Sequence, residues 1–249
     1  IMNLDECSLW QEYVEKWLNN GYSESDIDPR VLVDQICTYV KKFYYINDES
    51  VYKMLALYIY TTYFYELLDE IPYIYLNGEK GSGKSVLGAV FYLLCFNAKM
   101  TASITEASLF RMVSLEGGTV ILDEMENLTS RKQSSDSPMA AILKAGYARG
   151  ANTYRVNRDQ GDRVEKFDCY GPKIIGNIFG LDDVIADRCI PINTYRLKLT
   201  KENRKEDPKY YRKEKLPEVR ELTSKCCFSA LKYFKELHKI KHSALFETD

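Results

Sequence analysis

The order of apolar and polar segments predicts an α/β fold built on a mainly parallel sheet. Short apolar runs typical of buried strands alternate with longer segments of helical apolar spacing, the pattern of helices packed on a parallel sheet. A glycine-rich turn follows the first such run, and an Asp-Glu pair follows the third. With 249 residues, 45% of them hydrophobic and 28% charged, the chain is long enough for one large globular domain with or without a small appendage.

An all-helical region is predicted to come first. Residues 4–20 and 29–46 have helical apolar spacing, and residues 47–50 form a cap for a third helix over 51–68. Pro72 then ends the helical region. The chain is therefore predicted to divide into a helical N-terminal region, a core of alternating strands and helices, and a C-terminal part, with the bounds 1–70, 71–200 and 201–249.

The core and the C-terminal part are assigned element by element. Strands are predicted at 73–76, 99–104, 119–122, 173–176 and 189–193, and helices at 85–96, 105–115 and 138–147. Two further strands, 152–158 and 163–168, flank the turn signal at 159–161 and predict a hairpin. A charged connection at 201–215 leads to a final amphipathic helix at 217–239.

The glycine-rich turn matches the phosphate-loop pattern G-x-x-x-x-G-K-[ST] in full. Its glycines allow positive φ and close approach of the backbone to phosphate oxygens, and its N–H groups form an anion nest backed by a helix N-terminus. Lys84 is predicted to reach the β- and γ-phosphates of ATP, and the Ser85 hydroxyl to bind Mg²⁺. The predicted ATP site comprises Gly78, Glu79, Lys80, Gly81, Ser82, Gly83, Lys84 and Ser85.

A second motif, the apolar strand 119–122, ends in Asp123 and Glu124. Because ligands bind at the carboxyl ends of parallel strands, this strand is expected to place Asp123 beside the phosphate loop. Asp123 is predicted to hold Mg²⁺, mostly through water, and Glu124 to orient and deprotonate the attacking water. The pair follows Lys84 by 39 residues, which leaves room for one strand and one helix between the two motifs.

Together these motifs resemble the AAA+ ATPase core of minichromosome-maintenance-type helicases, and especially the ATPases that phages and mobile elements carry for their own replication. The similarity runs through most of residues 50–200 and is most specific at 145–150, 167–173 and 186–192, the last reading Ala-Asp-Arg-Cys-Ile-Pro-Ile. The resemblance implies a P-loop ATPase with a parallel central sheet, a helical N-terminal preface and a C-terminal lid-like helix.

The resemblance also implies roles for two polar residues. Asn177 matches the sensor that helps to position the lytic water. The alternative is an ordinary asparagine that caps the turn from a strand into a loop, which would look the same in the sequence. Arg188 matches the arginine that reaches into a neighbouring subunit's ATP, where it stabilises charge on the γ-phosphate; such a site is complete only in a ring or filament. The alternative for Arg188 is a surface ion pair with one of three nearby acids, Asp182, Asp183 or Asp187.

Nucleic-acid contacts are implied for the hairpin, which matches the one that such helicases point into a central channel. Arg155, Arg158 and Arg163 would grip the phosphates of a threaded strand, whereas the nearby acids Asp159, Asp162 and Glu165 fit a hairpin on the outer surface. Residues 196–215 carry nine Lys/Arg and four Asp/Glu, which fits either DNA binding or a solvated face. A second ATP-contacting arginine is expected after the core, with Arg220 as first candidate and Arg212 as another.

The function expected from these features is an ATP-driven DNA helicase or translocase that forms a hexameric ring on single-stranded or forked DNA, in a phage or mobile-element replication module. The alternative is an AAA+ loader, switch or defence ATPase that acts on a protein partner without moving along DNA. A nucleotide-binding module without hydrolysis is disfavoured, because binding alone requires neither Glu124 nor Arg188.

Cysteine usage and hydropathy bear on location. The seven cysteines are odd in number and form no CxxC pair, and several lie in apolar context as buried thiols do. This favours the reducing cytoplasm, and with only two histidines a zinc site is not expected. No apolar run reaches membrane-spanning length, so no membrane association is expected. The abrupt ends at Ile1 and Asp249 suggest a segment of a longer protein.

Overall fold

A computed structural model of the chain describes residues 21–101, 104–123, 138–157, 163–177, 181–196, 205 and 217–244. Its strands are β1 (Tyr73–Asn77), β2 (Lys99–Thr101), β3 (Val120–Leu122), β4 (Asn152–Asn157), β5 (Arg163–Asp168), β6 (Lys173–Asn177) and β7 (Cys189–Asn193). Five of them form one parallel sheet in the order β2-β3-β6-β1-β7. The strands β4 and β5 form a separate antiparallel pair. The predicted α/β fold with a parallel sheet and the predicted hairpin strands are thus confirmed.

Helices connect and cover these strands, and local chemistry sets several of their ends. Asp28 and Asp48 cap the first two helices by accepting bonds from the N–H groups two residues on, and Gly117, at φ +59°, ends the fourth. The α-helices are α1 (Pro29–Phe43), α2 (Glu49–Thr61), α3 (Lys84–Leu94), α4 (Glu106–Glu116), α5 (Pro138–Ala145), α6 (Asp183–Ala186) and α7 (Pro217–Ala244), and 3-10 turns lie at Glu24–Ile27 and Tyr65–Leu67.

Two helices of the N-terminal region end earlier than the sequence predicts. The predicted helix 51–68 ends at Thr61, because the chain turns where the Thr62 hydroxyl accepts a bond from the Phe96 N–H, 3.0 Å away. The helix predicted over 29–46 ends at Phe43, and Tyr44 has extended backbone angles (φ −131°, ψ 135°). The predicted helix 4–20 lies outside the described residues, as does the charged connection 201–215 apart from Lys205.

Each face of the sheet has its own hydrophobic core. On one face Ile74 and Leu76 pack with residues of the three helices α1, α2 and α3 and of the C-terminal helix α7. On the other face Tyr73 packs with β3, α4 and α5. The N-terminal helices and α7 therefore share one core with the sheet strand that precedes the phosphate loop.

Both ends of the β4–β5 hairpin are fastened to the segment that leads into β1. On the β4 side, the Arg149 N–H donates to the Asp69 carbonyl at 2.8 Å, and its guanidinium lies over the Tyr170 ring, 5.0 Å from the centroid. On the β5 side, the Tyr170 hydroxyl lies 3.0 Å from the Tyr65 carbonyl and 2.8 Å from the Leu68 carbonyl. The base of the hairpin is thereby joined to residues 65–71, directly before β1.

Lys173 is a fully buried lysine at the start of β6. Its ammonium donates to the carbonyls of Cys169 (2.7 Å), Gly171 (3.1 Å) and Gly146 (3.4 Å), and it lies 5.0 Å from the centroid of the Tyr73 ring. Burial lowers the pKa of Lys173 to about 7. The side chain thus joins the end of α5 to the turn between β5 and β6.

Replacing Lys173 with methionine is expected to lower the free energy of unfolding by about 2–4 kcal/mol, because the Cys169 and Gly171 carbonyls lose their donor. Since the pKa of this lysine is lower in the folded than in the unfolded chain, the unfolded state binds the extra proton above pH 7. The stability of the wild type relative to Lys173→Met should therefore rise as the pH is raised from 7 to 9. Urea unfolding at several pH values measures both effects. The exposed Lys53→Met is the control, and equal stability of Lys173→Met and wild type at every pH would contradict the expectation.

Candidate nucleotide site

The phosphate loop runs from the end of β1 to the start of α3. Gly81 and Gly83 have φ values of +79° and +92°, a region that residues with a Cβ seldom adopt. Gly83 is the N-cap of α3, so the loop delivers its backbone directly to a helix N-terminus, where anions are stabilised. All eight residues of the predicted ATP site are described, and they form a turn that ends at the N-terminus of α3.

Lys84 is the first residue of α3, and its side chain turns back over the loop. Its ammonium donates to the carbonyls of Gly78 at 2.5 Å and Glu79 at 2.8 Å. Only 9% of the residue is exposed. The ammonium group is therefore held at the loop.

Asp123 follows β3 at the carboxyl edge of the sheet, and its N–H donates to the Thr101 carbonyl at 2.9 Å. Its carboxylate lies over Gly176 of the neighbouring strand β6, where an added Cβ would be 3.1 Å from Asp123 Oδ1. Glycine at this position leaves room for the carboxylate. Glu124, the predicted catalytic base, lies outside the described residues.

Asn177 ends β6 and is fully buried. It lies in register with Asn77 of β1, which in turn lies in register with Asn193 of β7. The Asn77 amide donates to the Asn193 side-chain oxygen at 3.0 Å. Because β6 lies between β3 and β1, Asn177 stands between Asp123 and the phosphate loop, with strands spaced about 4.8 Å apart.

The oxygen donors at this edge fit a magnesium ion. Mg²⁺ prefers hydroxyl, carboxylate and phosphate oxygens to nitrogen or sulfur ligands. Ser85, in the first turn of α3, supplies a hydroxyl beside the loop, and Asp123 supplies a carboxylate with space cleared by Gly176. Within the described ranges no group of three or more His, Cys, Asp and Glu residues forms a metal cluster.

Arg188 lies at the opposite edge of the sheet, directly before β7. Its guanidinium donates to the Lys144 carbonyl at the end of α5 and lies 5.3 Å from the centroid of the Tyr147 ring. Asp182, one of its expected ion-pair partners, instead lies 3.4 Å from the Lys144 ammonium. Since the five residues of β7 span about 13 Å, Arg188 is separated by the length of that strand from the phosphate loop of its own chain.

The remaining predicted contacts lie on α7, on the hairpin or outside the described residues. Arg220 is exposed on the first turns of α7. Arg155 lies in β4 opposite Glu165, and Arg163 begins β5 opposite Asn157. Arg158 and Arg212 lie outside the described residues.

One face of the hairpin is exposed. Tyr154 of β4 is 61% exposed and lies in register with the exposed Lys166 of β5, and Val164, two residues before Lys166, is 65% exposed. Phe167 alternates to the other face, where its ring lies 5.3 Å from that of Phe110 in α4. The hairpin thus packs on α4 through one face and presents an aromatic ring beside a lysine on the other.

Sequence reasoning missed two residues that contact the phosphate loop. Thr194, directly after β7, lies 2.7 Å from the Ser82 hydroxyl through its Oγ1. Tyr44, directly after α1, donates to the Ser82 carbonyl at 3.3 Å. Neither belongs to the loop motif, and only the pairing of β7 with β1 and the packing of α1 bring them there.

Comparison with known proteins gives only structural matches. No protein-family model matches the chain, and no curated protein matches it. Three solved structures of JCV helicase match 98% of this chain and 74% of theirs: one with a thiazolopyridine-phenoxyphenyl acetamide bound (14% identity, TM-score 0.42), one with an inhibitor bound (12%, 0.41) and a third (13%, 0.43). The TM-scores lie below 0.5, and the α/β fold class rests on the strand order and loop geometry described above.

No helix within the described residues is long and apolar enough to cross a membrane.

Proposed function

We propose that this chain is the ATPase of a ring-forming, AAA+ DNA helicase or translocase that serves the replication of a phage or mobile element in the cytoplasm. The observation that carries the proposal is the arrangement of polar groups on the sheet. The phosphate loop, Asn177 and Asp123 share its carboxyl edge on the adjacent strands β1, β6 and β3, and Arg188 lies at the opposite edge. A phosphate cradle, a polar sensor and a carboxylate on one edge suit nucleotide hydrolysis.

Each group has a role in this proposal. The loop N–H groups and Lys84 bind the β- and γ-phosphates. Ser85 and Asp123 hold Mg²⁺, which when bound neutralises charge on the phosphate oxygens. Glu124 accepts a proton from the attacking water, and Asn177 orients that water.

The place of Arg188 supports an assembly. Because the length of β7 separates Arg188 from the loop of its own chain, any contact of Arg188 with ATP would be made at the loop of another copy. Val184, one helical turn before Arg188, is 46% exposed, and an exposed apolar residue beside the arginine suits a subunit contact. A closed ring of six copies presents each Arg188 to the next loop.

The exposed hairpin face supports a nucleic-acid partner. An aromatic ring flanked by a cation is the pairing that binds single strands without sequence preference, by base stacking and phosphate attraction. Tyr154 and Lys166 provide this pairing opposite each other on β4 and β5. The Arg220 contact with ATP and the DNA contacts of Arg155, Arg158 and Arg163 remain part of the proposal.

ATP hydrolysis measured with and without single-stranded DNA, alongside the native mass, tests the whole proposal. A hexamer whose hydrolysis is stimulated by the DNA is expected. Hydrolysis that is unaffected by DNA would instead favour an AAA+ ATPase acting on a protein partner. A chain that binds ATP but does not hydrolyse it in any assembly state would refute the enzymatic part.

Tyr154→Ala is expected to weaken binding of a labelled single strand about tenfold, because each stacked base contributes about 1–3 kcal/mol. Tyr154→Phe keeps the ring and should bind as the wild type does. Lys166→Ala should weaken binding less and reduce its dependence on salt, whereas the exposed Lys53→Ala on α2 serves as the charge control. Fluorescence anisotropy at several salt concentrations gives the affinities. Unchanged affinity in Tyr154→Ala would exclude this face as the contact.

A further inference from the structure

Ser82 is held from outside the phosphate loop by two hydroxyl groups. Its side-chain oxygen lies 2.7 Å from Thr194 Oγ1, and its carbonyl accepts a bond from the Tyr44 hydroxyl at 3.3 Å. Its own N–H donates within the loop to the Glu79 carbonyl at 3.2 Å. Ser82 is only 5% exposed, so one residue of the loop is fixed on three sides.

Thr194 is built into this contact by its backbone as well as its side chain. Its N–H donates to the Asn77 carbonyl at 2.7 Å, and its hydroxyl lies 3.0 Å from the same carbonyl. Because a carbonyl can only accept, the single Thr194 hydroxyl proton goes to Asn77, and the Ser82 hydroxyl therefore donates to Thr194. A Cβ on Gly78 would lie 2.3 Å from Thr194 Oγ1, so Thr194 also accounts for the first glycine of the loop.

Tyr44, directly after α1, contacts the loop from the side of that helix. A Cβ on Gly83 would lie 3.0 Å from the Tyr44 ring. Burial raises the pKa of Tyr44 to about 12, so its hydroxyl remains protonated and can donate near neutral pH. Tyr52 of α2 fixes the backbone beside it, donating to the Tyr44 carbonyl at 2.9 Å and accepting from the Ile46 N–H at 2.6 Å.

We propose that Thr194 and Tyr44 are positioning residues that keep the phosphate loop in its nucleotide-binding shape through Ser82. This inference rests on the proposed binding of ATP at the loop. When the loop samples other shapes, the apparent dissociation constant rises in inverse proportion to the competent fraction. Once ATP is bound, the loop is held by the phosphates, so the effect falls on affinity and KM and leaves kcat nearly unchanged.

The test uses variants that remove or keep one hydroxyl. Thr194→Val keeps the shape of threonine without its hydroxyl, Thr194→Ser keeps the hydroxyl, and Tyr44→Phe removes only the phenol oxygen. Thr38→Val is the matched control, since the Thr38 hydroxyl bonds to the Asp34 carbonyl within α1. Titration with a fluorescent ATP analogue gives the affinity, steady-state hydrolysis gives KM and kcat, and melting without nucleotide reports on folding.

Thr194→Val and Tyr44→Phe are each expected to raise the dissociation constant and KM about five- to tenfold, the effect of one lost hydrogen bond. Thr194→Ser should restore wild-type affinity, and Thr38→Val should match the wild type. Wild-type affinity in both Thr194→Val and Tyr44→Phe would overturn the inference, as would a Thr194→Ser variant that binds as weakly as Thr194→Val. A wild-type chain that binds no ATP overturns the proposed function itself, a result separate from any difference among the variants. If Thr194→Val fails to fold, Tyr44→Phe decides the matter, and wild-type affinity in that variant overturns the inference.

Discussion

Lys84→Ala is expected to reduce ATP hydrolysis about a thousandfold, the loss seen when one preorganised donor to developing charge is removed. The Lys84 ammonium is held at the loop by the Gly78 and Glu79 carbonyls, so it is in place before the nucleotide arrives. Removing it leaves the N–H groups of the cradle and the N-terminus of α3. We therefore expect weakened nucleotide binding together with a loss of hydrolysis.

A phosphate-release assay with saturating ATP measures this loss. Lys53→Ala removes an exposed lysine of α2 and should retain wild-type activity. Melting curves establish whether Lys84→Ala remains folded. A folded Lys84→Ala variant with more than a tenth of wild-type activity would place hydrolysis at another site.

Arg188→Ala is expected to reduce hydrolysis about 10³-fold or more, the range attributed to an arginine that stabilises charge on the transferred phosphoryl group. If each site is formed by one chain's loop and the next chain's Arg188, as proposed, the two variants should complement each other. In a ring mixed equally from Arg188→Ala and Lys84→Ala chains, about a quarter of the interfaces combine an intact loop with an intact arginine. The mixture should regain about that fraction of activity, although each variant alone is inactive.

The structure also defines the result that would contradict this expectation. Arg188 binds the Lys144 carbonyl and lies over Tyr147 within its own chain. If those contacts are its whole role, Arg188→Ala loses stability, and mixing with Lys84→Ala restores nothing. Arg188→Lys keeps the positive charge but loses the planar guanidinium, so it tests charge and geometry separately.

Local patterns in the sequence predicted the individual strands and the loop because each of these depends on residues close together in the chain. Apolar runs predicted the strands, and the glycine spacing predicted a turn with positive φ angles between β1 and α3. The strand order did not follow from these patterns, and the order is what places Asn177 between the loop and Asp123. Thr194 and Tyr44 escaped prediction for the same reason, since their bonds to Ser82 join residues 112 and 38 positions apart.

Lys173 shows how tertiary contacts change the meaning of a local pattern. The run at 173–176 was predicted as a buried strand, and the structure extends it to Asn177. A lysine at the start of such a strand is usually exposed, yet three carbonyl groups from a helix end and a turn satisfy it in the interior. Those acceptors come from residues whose positions only the fold determines.

The attachment of the hairpin base to residues 65–71 has a thermodynamic consequence. The same segment continues into β1 and the phosphate loop. A movement of the hairpin and a movement of the loop would therefore change the same contacts of residues 65–71. If nucleotide binding changes the binding free energy of a ligand on the hairpin, that ligand must change the binding free energy of the nucleotide by the same amount. Under the proposed function, the change in affinity for a strand at Tyr154 and the change in affinity for the nucleotide at Lys84 are then two measures of one coupling free energy.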